Sequence, residues 1–258
     1  MKQLHYLTVA LCTSCLLALI ADAGTESAGK EMTQTAAPPP PVCDWTGFYL
    51  GVHVGGQFGH SEDRDLDQYI SPFPGPAREF GYNESGVVAG GQIGYNWQWH
   101  WLVLGPEIDL GYMNQDGNGT TRFDRTFFNS DTRGETESDF YMTARGRLGV
   151  ALGKWLFYGT GGGIGVNYKT QVIDNCDAGP CGAELLHASK EDFNWGWTGG
   201  GGIEYMMGCH WTVKAEYLRY QLDDQSFSGV GQNFGGTFRF TGIGTEGNIF
   251  RAGLNYKF

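Results

Sequence analysis

Charge is scarce in this chain. Charged residues make up 17% of the 258 positions, where about 25% is ordinary for a globular domain. Cations are scarcer still, with 17 Lys and Arg against 28 Asp and Glu, a formal net charge of −11. That sign argues against a general nucleic-acid binder. Beyond the first twenty residues there is no run of 18 apolar residues, which excludes a helical membrane protein. The 42 glycines follow no three-residue period, which excludes collagen, and they are too frequent for a helical fold. Aromatic residues are abundant at 14%, far above what disordered chains carry.

The N-terminus reads as an export address. Lys2 supplies a short positive region, Leu4 to Ile20 is apolar, and Ala21-Asp22-Ala23 offers a small-x-small cleavage site. Residues 1–23 are therefore expected to be a signal peptide. Residues 24–44 are polar, include Pro38-Pro39-Pro40-Pro41, and read as an extended periplasmic linker.

Residues 45–258 carry a repeat. Trp45, Trp101, Trp155 and Trp211 each open an alternating apolar/polar segment, at spacings of 56, 54 and 56 residues. Eight strands are predicted: Trp45–Gly59, Gly86–Trp97, Trp101–Met113, Ser138–Leu152, Trp155–Thr170, Phe193–Met206, Trp211–Leu222 and Gly247–Phe258. In the first, Phe48, Leu50, Val52, Val54 and Phe58 share one face, and Tyr49, His53 and Gln57 share the other. A period of two sends each set to its own side of a sheet. Short turns alternate with polar inserts of about twenty residues, the connection pattern of an outer-membrane barrel, and spanning needs only about 9–11 residues per strand. The short turns then lie on the periplasmic side. Trp45, Trp97, Trp101, Trp155, Trp211, Tyr256 and Phe258 are expected to form an interfacial girdle there.

A soluble eight-stranded barrel would turn its apolar face inward. The face carrying Glu107, Asp109, Arg145, Arg147, Glu204 and Lys214 is also read as glycine-rich, with Gly159, Gly161, Gly163, Gly165, Gly196, Gly200 and Gly202. Small residues beside charges suit a narrow polar interior, which leaves the bulky apolar face for lipid.

The segments WTGFYLG from Trp45, GGQIGYNWQ from Gly90, ARGRLG from Ala144, GTGGGIG from Gly159, GWTGGGGIEY from Gly196, AEYLRY from Ala215 and RAGLNYKF from Arg251 resemble the porin-like outer-membrane β-barrel family of alphaproteobacterial surface proteins. That family is related in architecture to the OmpA transmembrane domain. The resemblance covers the strands from Trp45 to Phe258. It implies an all-β, eight-stranded antiparallel transmembrane barrel with short periplasmic turns and long extracellular loops, in the outer membrane of a Gram-negative cell. It implies no catalytic residues. It also implies that the aromatic last strand, with Phe250, Leu254, Tyr256 and Phe258, is the signal read by the outer-membrane assembly machinery. No peptidoglycan-binding domain is expected after Phe258, unlike full-length OmpA.

Within the lumen, Arg145 and Arg147 are expected to meet Glu107 and Asp109 on the preceding strand. Glu204 should face Lys214 across the turn at Cys209, and Glu216 should pair with Arg251. Counting Lys257, four acids oppose five bases. A selectivity ring would want one dominant sign, so near-balance fits an interior that satisfies itself.

Other motifs are weaker. GTGGGIG at Gly159 sits in a strand with no helix after it, against a dinucleotide loop. Asp63-x-Asp65-x-Asp67 lacks the glycine and glutamate of a calcium loop, having Gln68 and Pro74 in those places. No metal or other cofactor is expected. His60-Ser61 sets a histidine beside a candidate nucleophile, but neighbours in a strand point to opposite faces. No enzyme is predicted. Gly179-Pro180 favours a turn that brings Cys176 and Cys181 together as a disulfide. Cys43 and Cys209 both fall on the periplasmic side, and the spacing leaves them free or paired.

The expected protein is a monomeric surface barrel contributing to envelope integrity. Its partners would be outer-membrane lipid, lipopolysaccharide and the assembly machinery, with no nucleic acid. A narrow channel for ions or small solutes, and ligand or host binding by the loops, are the alternatives.

Overall fold

The computed structural model describes residues 43–67, 79–120, 132–174, 186–231 and 237–258. These contain β1 (Gly47–Asp65), β2 (Glu79–Trp99), β3 (Leu102–Thr120), β4 (Thr132–Leu152), β5 (Trp155–Asp174), β6 (Leu186–Met206), β7 (Trp211–Leu222), β8 (Gln225–Gly231) and β9 (Thr237–Lys257). The predicted signal peptide, most of the linker, Cys176 and Cys181 lie outside the described residues.

Every pairing is antiparallel. Each strand from β1 to β6 bonds to the one after it, β7 bonds to β9, and β9 returns to β1 from Tyr49↔Lys257 to Asp65↔Phe240. Strand β8 lies in the same slot as β7, between β6 and β9. The sheet is therefore a closed ring of eight staves, with the seventh broken at Asp223-Asp224. Aspartate fits poorly in a ladder. The break is tied down instead by Asp223 N–H donating to Trp195 O at 2.8 Å and Asn194 Nδ2 donating to Asp223 O at 3.0 Å. The two-residue turn after β4 places Gly153 at φ 62°, a left-handed conformation that glycine adopts without strain.

The apolar face looks outward. Leu50, Val52, Val54 and Phe58 are between 52% and 61% exposed, while His53 and Gln57 on the alternate positions are buried. Strand β7 alternates without a break from exposed Trp211 to buried Leu222. This is the inverse of a water-soluble barrel and matches a lipid-facing wall.

Three expectations need correction. The strands other than β7 and β8 run to 19–21 residues, so much of each predicted insert is strand. At ~3.3 Å per residue and a ~45° tilt, twenty residues rise roughly 45 Å, against an apolar band of ~25 Å. The barrel wall therefore continues well beyond the membrane. Trp45 is not in the girdle, because it is 2% exposed and sits in the periplasmic mouth. On β5 the inward positions are Leu156, Tyr158, Ile164, Val166 and Tyr168, so Gly159, Gly161, Gly163 and Gly165 face outward. Gly162 is the inward glycine of that run, and a Cβ there would lie 2.1 Å from Ala144 O. Gly196, Gly200 and Gly202 on β6 do face inward, each against the β7 backbone.

A candidate site in the barrel lumen

Alternation on β3, β4, β6, β7 and β9 turns Glu107, Asp109, Arg145, Arg147, Glu204, Lys214, Glu216 and Arg251 into the lumen, all 5% exposed or less. Arg145 is the hub. Its Nη2 lies 2.6 Å from Glu107 Oε1 and 2.7 Å from Asp109 Oδ2, and its Nη1 lies 3.3 Å from Glu216 Oε1. Arg251 Nη2 is 2.5 Å from Glu216 Oε2 and 2.9 Å from Asp109 Oδ2. Arg147 joins Glu204 at 2.6 Å and Glu107 at 3.2 Å, and its guanidinium stacks 4.0 Å from the Tyr158 ring centroid. Buried charges survive in a low-dielectric interior only when paired and hydrogen-bonded on several sides, and this cluster supplies that.

Register explains some pairs. Glu107 sits opposite Arg145, and Glu216 opposite Arg251. Glu204 also sits opposite Lys214, yet their side chains part. Lys214 Nζ reaches across the lumen to Glu107 at 3.2 Å, while Glu204 accepts from Arg147, Thr212 and Asn255. Lys257 does not enter the network, for its Nζ bonds Asp44 O and Thr46 O at the periplasmic rim. Excluding it leaves four acids and four bases.

Neutral residues that sequence reasoning did not assign complete the cluster. Tyr49 Oη donates to Glu107 at 2.7 Å and accepts from Arg147 at 2.7 Å, and Tyr158 Oη donates to Glu216 at 3.0 Å. His53 bonds Tyr141 Oη at 2.5 Å and Gln92 at 3.2 Å. Their inward phase was readable. Their partners, on strands far away in sequence, were not.

Apolar layers bracket the charges. On the extracellular side Val88, Met113, Ile164, Leu218 and Ile249 pack across the lumen with Tyr141 and Tyr220. On the periplasmic side Trp45 packs with Val103, Ala151, Leu156 and Met206. A further cluster of Val172, Ala188, Phe227 and Phe240 lies in the extension.

The remaining candidates fall apart or elsewhere. His60 turns outward to Asn83, and Ser61 turns inward to Tyr168 Oη at 2.9 Å, so they share no site. Asp67 is held by Arg239 at 2.8 Å, and those hydrogen bonds keep its carboxyl below the usual carboxylate range. Among the described residues no group of three or more His, Cys, Asp or Glu is placed to hold a metal. Phe258 packs on Tyr256 at 5.1 Å and Phe48 at 5.8 Å, and its N–H donates to Phe48 O at 3.0 Å. Phe250 packs on Tyr217, and Leu254 is partly exposed on the same outer face. Cys43 and Cys209 form a disulfide.

The family model described as "Outer membrane protein beta-barrel domain" matches residues 32–258. The chain belongs to this family. It is 31% identical over 239 residues to the "31 kDa outer-membrane immunogenic protein" of Brucella melitensis biotype 1, covering 89% of this chain and 90% of that one. It is 29% identical over 202 residues to the "22 kDa outer membrane protein" of Rhizobium leguminosarum bv. viciae, covering 74% of each. Among solved structures, the outer membrane protein OprG of Pseudomonas aeruginosa superposes with a TM-score of 0.53 at 12% identity, covering 83% of this chain and 96% of that one. This chain is thus an outer-membrane β-barrel protein.

Proposed function

We propose that this barrel serves as a non-conducting, non-enzymatic structural element of the outer membrane, contributing to envelope integrity and presenting its extension at the cell surface. The observation that carries this reading is the filled lumen, a balanced charge cluster bracketed by apolar layers. Eight strands leave room inside only for side chains, and here those side chains bond one another. An apolar layer also resists wetting, so removing Arg145 and Arg147 is not expected to open a path, contrary to what the charges alone suggest. The outward apolar wall suits lipid, and the extension beyond it suits contact with lipopolysaccharide. The barrel acts as a monomer in this reading, because its ring closes on itself and leaves no edge. The test is planar-bilayer recording of the purified protein, with no steady conductance expected. Large, stable openings would overturn the proposal in favour of a channel.

A further inference from the structure

A barrel made from one chain has one seam where its first and last strands meet, here β1 against β9. The short segment ahead of β1 crosses that seam. Cys43 precedes β1, and Cys209 lies in the turn between β6 and β7, 166 residues away. Strand β9 stands between β7 and β1 in the ring. The disulfide therefore reaches from the first stave, past the last, to the seventh. The same segment is fastened without covalent bonds on both sides. Lys257 of β9 donates to Asp44 O and to Thr46 O, the latter at 3.2 Å. Trp45 N–H donates to Gln98 Oε1 at 2.7 Å, and Gln98 N–H donates to Thr46 Oγ1 at 3.1 Å.

Between these fastenings Trp45 drops into the mouth. Its indole is 2% exposed and packs on Val103, Ala151, Leu156 and Met206, residues of β3, β4, β5 and β6. The charged cluster with Arg147 and Glu204 lies farther inside. The indole N–H has no acceptor among the described residues, so its seat is not held by a hydrogen bond of its own. A buried donor left unmatched opposes burial, and ordering a short segment costs conformational entropy. A covalent tether offsets both by keeping the indole at the mouth.

We propose that residues 43–46 form a strap, latched by the Cys43–Cys209 disulfide, that locks the β1–β9 seam and stoppers the periplasmic mouth with Trp45. The latch opens by two-electron reduction. A dithiol thiolate attacks one sulfur, breaking the Cys43–Cys209 bond and releasing the other cysteine; the dithiol's second thiolate then attacks its own sulfur in the mixed disulfide and expels the remaining cysteine, so the dithiol leaves as a cyclic disulfide and its two protons end on Cys43 and Cys209. Cys43 is exposed on the described surface, which admits the attacking thiolate.

The experiment uses the refolded full barrel in detergent micelles with Cys176 and Cys181 both replaced by Ser. Two quantities are read before and after dithiothreitol. One is the acrylamide quenching of Trp45, taken as the difference from a Trp45→Phe variant. The other is the rate of urea unfolding, followed by loss of the heat-modifiable gel band. Trp45 should be shielded when oxidised and quenched when reduced. Unfolding should accelerate by about tenfold or more, because a cross-link closing a long loop restrains the open state most. Cys209→Ser should reproduce both changes without reductant and then ignore it. Trp45→Ala with the disulfide intact should keep slow unfolding but speed amide exchange at Tyr49 and Glu204 inside the mouth, which separates the stopper from the lock. A reduced protein whose Trp45 stays shielded and whose unfolding rate is unchanged would overturn the proposal, since the strap would then be held by its own contacts.

Discussion

Replacing Arg145 by Leu tests whether the lumen cluster orders this barrel. Arg145 is fully buried and bridges Glu107, Asp109 and Glu216 at 2.6, 2.7 and 3.3 Å. Its Nε also donates to Thr143 Oγ1 at 3.1 Å. Without it, four carboxylates share Arg147, Lys214 and Arg251. Breaking a buried pair by removing one partner costs about 3–5 kcal/mol. Each of the three carboxylates keeps another cation within 4 Å, so the lower end applies, about 3 kcal/mol. With a urea slope of about 3 kcal/mol per molar, that lowers the unfolding midpoint by about 1 M. The assay is urea titration of the refolded barrel, read by heat-modifiable migration and tryptophan fluorescence. Arg145→Lys keeps the charge but loses the planar fork that reaches Glu107 and Asp109 together, so its midpoint should fall between. Adding Glu216→Gln to Arg145→Leu restores the balance of charge and should recover part of the loss. A midpoint within about 0.2 M of wild type for Arg145→Leu, where about 1 M is expected, would refute the reasoning. A double variant no more stable than the single would refute the charge-balance part of it.

Three further outcomes are expected. Leu104→Arg, on the outward face, should cost about 2–4 kcal/mol in lipid, and Val230→Arg in the extension about 0–1 kcal/mol; equal costs would contradict a membrane band at Leu104. Asp67 titrates below its ordinary value because Arg239 hydrogen-bonds its ionised form, so that contact persists at neutral pH and is lost as pH falls through the depressed value. A carboxyl-labelled NMR titration should show Arg239→Gln moving Asp67 back up, and an unmoved midpoint would rule the contact out as the cause. Phe258→Ala should lower outer-membrane levels on cell fractionation yet still refold in detergent, if the last strand is the assembly signal. Normal levels would remove that role, and failed refolding would assign Phe258 to the seam with Phe48.

Face assignment was legible wherever bulky and polar residues alternate, as from Phe48 to Phe58 and from Trp211 to Leu222. There the period of two is enough, because a strand has only two sides. It failed on β5, where the run from Gly159 to Gly163 has only Thr160 to mark a side. The pairing with β4, including its irregularity between Ser138 and Tyr141, settles the phase instead. The apolar layers were hidden for a related reason. Val88, Leu218 and Ile249 each occupy a polar-phase position beside outward Val87, Tyr217 and Phe250, so local hydropathy does not reveal which neighbour turns in.

The charged residues of the lumen could be named from the sequence because alternation alone carries them inside. Neighbouring pairs such as Glu107–Arg145 followed from consecutive strands. The partner of Lys214 did not. Its Cα faces Glu204, but its ammonium crosses to Glu107, and only closure of the ring sets which residues meet across the lumen. Trp45 and the Cys43–Cys209 bond belong to the same class. Strand pattern alone accounts for the eight staves and for the facing of each stave whose bulky and polar residues alternate, properties of one strand at a time. Closure of the ring settles which lumen groups bond one another, what plugs the mouth and what spans the seam, since those contacts join strands through the shear of the closed ring, and no local period encodes that shear.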